Sequence, residues 1–240
     1  MASAVRGAGR GTGAEDLGVS AEDLGPQGPG PEAEAYDGRM TTSRREPKQD
    51  RSRETRRKIL ESAVHCLATY GWQGATMAVV ADHVDISRGA LQHHFPTRED
   101  LMLAAIDHVA EQRDKDRLQY DSTTPEGNDR IDYVVDMLIN YYSTDAFKAA
   151  LQVWVAAATD PALRERVIPL ETRFARAAYR HAVEFLRADV SDERTHRLIQ
   201  STMDLARGLG LADVITDDSA RRNKIAQFWK SELATIKTLD

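Results

Sequence analysis

Between Gly74 and Leu101 the chain reads GATMAVVADHVDISRGALQHHFPTREDL, and this stretch constrains the fold most tightly. Thr76, Ser87 and Thr97 each stand just ahead of a run with helical apolar spacing, where a side-chain hydroxyl can accept from an orphaned N–H of the first turn. Caps this close together leave room only for short helices separated by tight turns. The spacing predicts one helix from Thr76 through Val84, a second from Ser87 to near Phe95, stopped by Pro96, and a third from Thr97, with Glu99 and Asp100 well placed in its first turn. Ala81 is small enough for the first two to approach closely. Val80, Val84, Ile86 and Leu91 can close a miniature core. Asp85 falls at the turn between them, and aspartate tolerates left-handed backbone better than most residues, though less well than glycine.

The outward face of the helix after Ser87 carries Arg88, Gln92, His93 and His94, and Gly89 leaves backbone uncovered there. A helix N-terminus can hold a phosphate, and exposed arginine and glutamine can reach base edges in a major groove. The adjacent histidines lack a thiol or carboxylate at a matching spacing, so no metal is expected.

The rest of the chain is helical in pattern from Arg51 onward. Ile59, Leu60, Ala63, Val64, Leu67 and Ala68 recur at helical spacing until Gly71. Pro125 and Gly127 break the chain before Ile131–Tyr142. Phe147–Ala158 is apolar nearly all round, the mark of a buried helix. Asp160-Pro161 starts another, which Pro169 interrupts or restarts, and Phe174, Ala178, His181 and Phe185 share a face of the next. Leu198, Leu205 and Leu209 line a further helix; Ile225, Phe228, Trp229, Leu233 and Ile236 line the last. No segment alternates with period two. The reading is an all-α chain: an N-terminal three-helix helix-turn-helix domain over 51–96 and a C-terminal helical bundle over 97–240.

Residues 1–50 are rich in Gly, Pro, Ala and Ser and are expected to be disordered; Met40 offers an alternative start, which would leave Met1–Arg39 outside the native protein. Charge is uneven. The net charge is −6, yet Thr41–Lys58 holds eight basic against three acidic residues. A basic stripe ahead of an acidic body suits an anionic partner at one end. Cys66, the one cysteine, rules out an intramolecular disulfide and sits on the apolar side of its helix, where a buried inert thiol is expected. No apolar run approaches a membrane span and no signal peptide is evident, so a cytoplasmic protein is expected. Without a Gly-rich phosphate loop, a nucleophile elbow or a ligand-spaced Cys/His/Glu set, neither an enzyme nor a cofactor is expected.

The pattern T-x-x-x-V-A-x-x-x-x-I-S-R-G-A-L-x-x-H-F-P-T-R-E-D-L, with ETRRKILESAVHCLATYG before it, resembles the DNA-binding signature of TetR-type regulators, from Glu54 to roughly Val109. The resemblance implies that Thr76 caps its helix and touches a backbone phosphate. Ser87, Arg88, Gly89 and Ala90 would open the recognition helix onto the groove, Gln92, His93 and His94 would contact base or phosphate, and Arg98 would clamp a phosphate. Two residues depart from the family: Asp85 stands where glycine is usual, and Gln92 where an aromatic is usual. The run Arg44–Lys58, Arg53 included, fits an N-terminal arm adding salt-dependent affinity.

The resemblance further implies a repressor, a homodimer on a palindromic double-stranded operator, released by a small-molecule effector. The alternative is a second domain that docks a protein. Pocket candidates are His108, Met137, Asn140, Tyr141, Trp154, Arg173, Phe174, Tyr179 and His181; each can equally serve the core or meet a neighbouring backbone group. Leu198, Leu205, Leu209, Ile225, Phe228, Trp229 and Leu233 are candidates for the dimer interface, or for packing on their own subunit.

Overall fold

A computed structural model describes residues 46–120 and 128–239. Among them the chain forms nine helices and no strand. These are α1 (Glu46–Gly74), α2 (Met77–Val84), α3 (Arg88–His94), α4 (Arg98–Tyr120), α5 (Asn128–Tyr141), α6 (Asp145–Thr159), α7 (Pro161–Leu186), α8 (Glu193–Ala212) and α9 (Ser219–Leu233). The break expected at Pro125 and Gly127 lies outside the described residues.

α1 begins earlier than expected. Disorder was expected through Asp50, but the helix runs from Glu46, so much of the basic stretch forms its first turns rather than a separate arm. Apolar periodicity is absent there. The helix is supported instead by pairs one turn apart: Arg57 reaches Glu54 and Glu61, each at 2.6 Å. At the other end Gly71 takes φ 69°, ψ −179° and kinks the chain. The following N–H, on Trp72, donates to Gln152 Oε1 of α6 at 3.2 Å, tying the kink to the second half of the molecule.

Two buried cores result. Ile59 and Leu67 of α1, Val80 of α2, Leu91 of α3, Leu101 of α4 and Val153 of α6 belong to the first. Val134 and Leu138 of α5, Tyr179 of α7, Ile199 of α8 and Leu233 of α9 belong to the second. Trp154 packs against both. The first core therefore continues past Pro96, since α6 lies directly on α1.

Two helices depart from expectation. α6 buries Phe147, Ala149, Ala150, Val153 and Ala157 but leaves Val155 63% exposed, so it is buried on one broad face only. α7 runs unbroken through Pro169. Asp160 caps it, accepting from the N–H groups of Ala162 (3.0 Å) and Leu163 (3.1 Å). Pro169 is exposed, as is Glu165 one turn earlier. The carbonyl that loses its helical partner at a proline can there be hydrated, and the helix continues.

Candidate nucleic-acid interface and effector cavity

The short helices are set by their caps. Thr76 Oγ1 accepts from Val79 N–H at 3.3 Å and Ser87 Oγ from Ala90 N–H at 3.1 Å. Between them Asp85 adopts φ 59°, ψ 51°, which reverses the chain. The N–H groups of Asp85 and Ile86 satisfy the carbonyls of Asp82 (3.1 Å) and Ala81 (3.0 Å). Left-handed backbone excludes β-branched side chains more strongly than aspartate. Asp85→Val is expected to lower unfolding free energy by about 2 kcal/mol, whereas Asp85→Gly should keep the parent's denaturation midpoint. Equal losses in both would mean that the carboxylate itself is needed.

α3 is held from below. Leu91 is fully buried, Phe95 nearly so, and the Arg56 guanidinium lies 4.5 Å from the Phe95 ring centroid. Ser87, Arg88, Gly89, Ala90, Gln92 and His93 are exposed, and His94 is half-buried beside His93. Nothing crowds Gly89: a Cβ there would meet only Ser87 Oγ, at 4.0 Å. Thr76 and Arg53 are exposed as well. The first turn of α4 is closed reciprocally, Asp100 N–H donating to Thr97 Oγ1 (3.1 Å) and Thr97 N–H to Asp100 Oδ2 (3.2 Å).

Arg98 is a correction. Its Nε–H donates to the Ala75 carbonyl at 2.9 Å, and its guanidinium stacks 4.3 Å from the Trp72 ring centroid. It binds the turn before α2 to α4 rather than extending as a phosphate clamp. The carbonyl of Ala75, fully buried, needs a donor, and Arg98 supplies it. Cys66 is fully buried, and burial pushes its thiol up, as befits an inert core residue.

A cavity of about 590 Å³ opens among α4, α5, α6, α7 and α8. Of the sequence candidates, Met137, Asn140, Tyr141, Trp154, Arg173, Phe174 and His181 line it. His108 and Tyr179 do not. His108 is buried on α4. Tyr179 belongs to the second core, its hydroxyl 2.5 Å from His196 Nδ1; burial pushes the phenol up to about 12 and holds the imidazole below its usual value. The sequence reading missed the charged lining of Asp107, Glu111, Glu171 and Arg207, which reads as solvated helix surface. One signal was available. Asp100 and Asp107 are seven apart, as are Arg166 and Arg173, and each aspartate pairs with its arginine, Asp100–Arg166 at 2.6 Å. α4 and α7 therefore run parallel in register.

Among the interface candidates, Leu209 (5% exposed) and Leu233 (0%) pack in their own subunit's core, a correction. Leu198, Leu205 and Ile225 are half-buried against that core. Trp229 is half-buried and donates to Thr202 Oγ1 at 2.8 Å. Phe228 is 63% exposed, and exposed Leu211, Val214 and Ile215, unanticipated from sequence, follow at the end of α8. Among the described residues no cluster of three His, Cys, Asp or Glu could hold a metal ion, and no helix is long and apolar enough to cross a membrane.

Residues 59–105, from α1 into α4, match the model of the bacterial regulatory proteins of the tetR family. Over 125 residues (52% of this chain, 61% of the relative) the chain is 34% identical to the HTH-type transcriptional regulator CymR of Pseudomonas putida. Over 113 residues (47% and 55%) it is 33% identical to the HTH-type transcriptional repressor AcnR of Corynebacterium diphtheriae. These matches span little more than half the length of those relatives. In fold, the chain is similar to a transcriptional regulator from Saccharomonospora viridis determined in complex with choline, with a TM-score of 0.60 at 19% identity, covering 77% of this chain and 99% of that one. The capped helices, the exposed face of α3 and the match over them agree: residues 59–105 form a DNA-binding domain of the kind found in the bacterial regulatory proteins of the tetR family.

Proposed function

We propose that the chain is a homodimeric repressor that holds a palindromic operator with α3 of each subunit and releases it when a small molecule enters the cavity. The observation that carries this reading is the pairing of an uncovered, rigidly capped α3 with a separate cavity, the two joined by α4, which begins at Arg98, just after α3 ends at His94, and lines the cavity with Ile106 and Asp107. Two recognition helices about 34–36 Å apart reach successive turns of one groove. An effector that favours a different spacing lowers operator affinity by its differential affinity for the two states. Phe228 and the apolar end of α8 are the surface offered to the second subunit. The cavity supports a small ligand over a docked protein, since a fully packed bundle would suit the protein partner. The absence of a helix fit to span a membrane, among the described residues, is compatible with work in the cytoplasm.

Selection of duplexes from a random pool, followed by anisotropy titration of the enriched site, tests the reading. Arg88→Ala is expected to weaken specific binding by about 1–3 kcal/mol per half-site, with the melting temperature unchanged. Failure to enrich any sequence, or an enriched site indifferent to Arg88→Ala, overturns it.

A further inference from the structure

We propose that the cavity takes an anionic effector, a carboxylic acid with an apolar body, whose head group is bound by Arg207. This rests on the reading of the cavity as an effector site and names the ligand class. Arg207 reaches the cavity from α8, where its guanidinium lies 5.8 Å from the Trp154 ring centroid and 5.9 Å from that of Tyr142. Its Nε is buried and makes no hydrogen bond. Its other nitrogens meet the Tyr142 hydroxyl and, more loosely, two carboxylates: Glu171 Oε1 lies 3.7 Å away, beyond direct hydrogen-bonding reach, and Asp204 Oδ1 3.5 Å away on the exposed side. An arginine held among rings with an unpaired Nε and no carboxylate at close range can take a further anion, and a carboxylate matches its planar fork.

Glu171 favours the same sign of ligand. Burial pushes its carboxyl up, against the opposing pull of Arg207 and a hydrogen bond from Trp154. The guanidinium stays charged at any physiological pH, whereas a partly buried carboxyl takes up a proton more readily than an exposed one, so Glu171 is the partner that yields. A cationic ligand seeking Glu171 would instead be forced against Arg207. The remaining acids do not change the balance: Asp107 is already paired with Arg173, and Glu111 is exposed on the α4 side. Met137, Leu138, Trp154, Phe174 and Phe185 supply the apolar wall, and the volume falls within the range that accommodates small organic ligands.

The test uses the full chain and three probes sharing one body: 4-phenylbutyrate, 4-phenylbutylamine and 4-phenylbutanol, titrated by calorimetry at neutral pH. The acid is expected to bind about tenfold more tightly than the other two, and Arg207→Gln should abolish that preference. Glu171→Gln, which removes the competing anion while leaving Arg207 in place, should tighten the acid by about threefold or more. That variant keeps the proposal falsifiable should Arg207→Gln fail to fold. Tightest binding of the amine, equal binding of the alcohol, no binding by any probe at millimolar concentration, or weaker acid binding in Glu171→Gln each overturns the proposal. The same probes added to the protein–operator complex separate the two readings. Release by the amine or the alcohol would end the carboxylate assignment while sustaining effector control, whereas an operator complex insensitive to a probe that demonstrably binds would count against effector control itself.

Discussion

Gly210→Ala is expected to lower the unfolding free energy by about 3 kcal/mol, the upper end of the range for overpacking, and so to drop the melting temperature by about 6–12 °C. α8 crosses the C-terminal end of α5 at Gly210, where an added Cβ would lie 2.3 Å from the Tyr142 carbonyl oxygen and 2.9 Å from its carbonyl carbon. Those are backbone atoms, which cannot swing aside as a side chain would. Nor is Tyr142 free to shift. It is 6% exposed, its N–H donates to Leu138 O at 3.2 Å, and its ring meets Phe147 edge to face at 5.0 Å. Gly208, two residues earlier in the same helix, is the control. It is exposed, with nothing within 4 Å of where a Cβ would sit. Gly208→Ala should therefore gain about 0.5–1 kcal/mol from helix propensity alone. Thermal unfolding of the two variants should move in opposite directions, and a loss in both would mean that α8 resists any added side chain for reasons other than its approach to α5.

What could be read from the sequence was whatever a local pattern determines. Thr76, Ser87 and Thr97 cap because a hydroxyl ahead of an apolar run meets an N–H that its own helix leaves unpaired, a matter of three or four residues. Asp85 takes the left-handed turn for an equally local reason. Residues whose roles depend on distant partners were less legible. Arg98 looked like a phosphate ligand because nothing in its neighbourhood announces the buried Ala75 carbonyl and the Trp72 ring that engage it. Leu209 and Leu233 share stripes with Leu205 and Phe228, and a stripe does not say which of its members face the subunit's own core. Tyr179 and Trp154 are both large aromatics on helices near the cavity. Only the crossing of α7 with α8 places the first against His196 and leaves the second on the wall. Arg207 and Glu171 were invisible for the opposite reason: charged residues on an amphipathic helix read as surface until another helix covers them.

Leu91→Ala is expected to abolish operator binding without removing any group that touches DNA. α3 spans Arg88–His94, too short to persist by hydrogen bonding alone. Its exposed face contributes nothing to its position. That position comes from the Ser87 cap, from Phe95 under Arg56, and above all from Leu91, which is fully buried among the residues of the first core. Truncating a buried leucine costs about 2–5 kcal/mol, depending on how far the site collapses, and here collapse must come from α3 itself, since α1 and α4 are anchored by long helices on both sides. The variant should therefore show a lowered denaturation midpoint and a loss of specific binding beyond that of Arg88→Ala, whose midpoint should match the parent. If Leu91→Ala instead lost stability yet bound the selected duplex as the parent does, α3 would be positioned by the DNA rather than by the core beneath it, and the preformed recognition face on which the operator reading stands would be wrong.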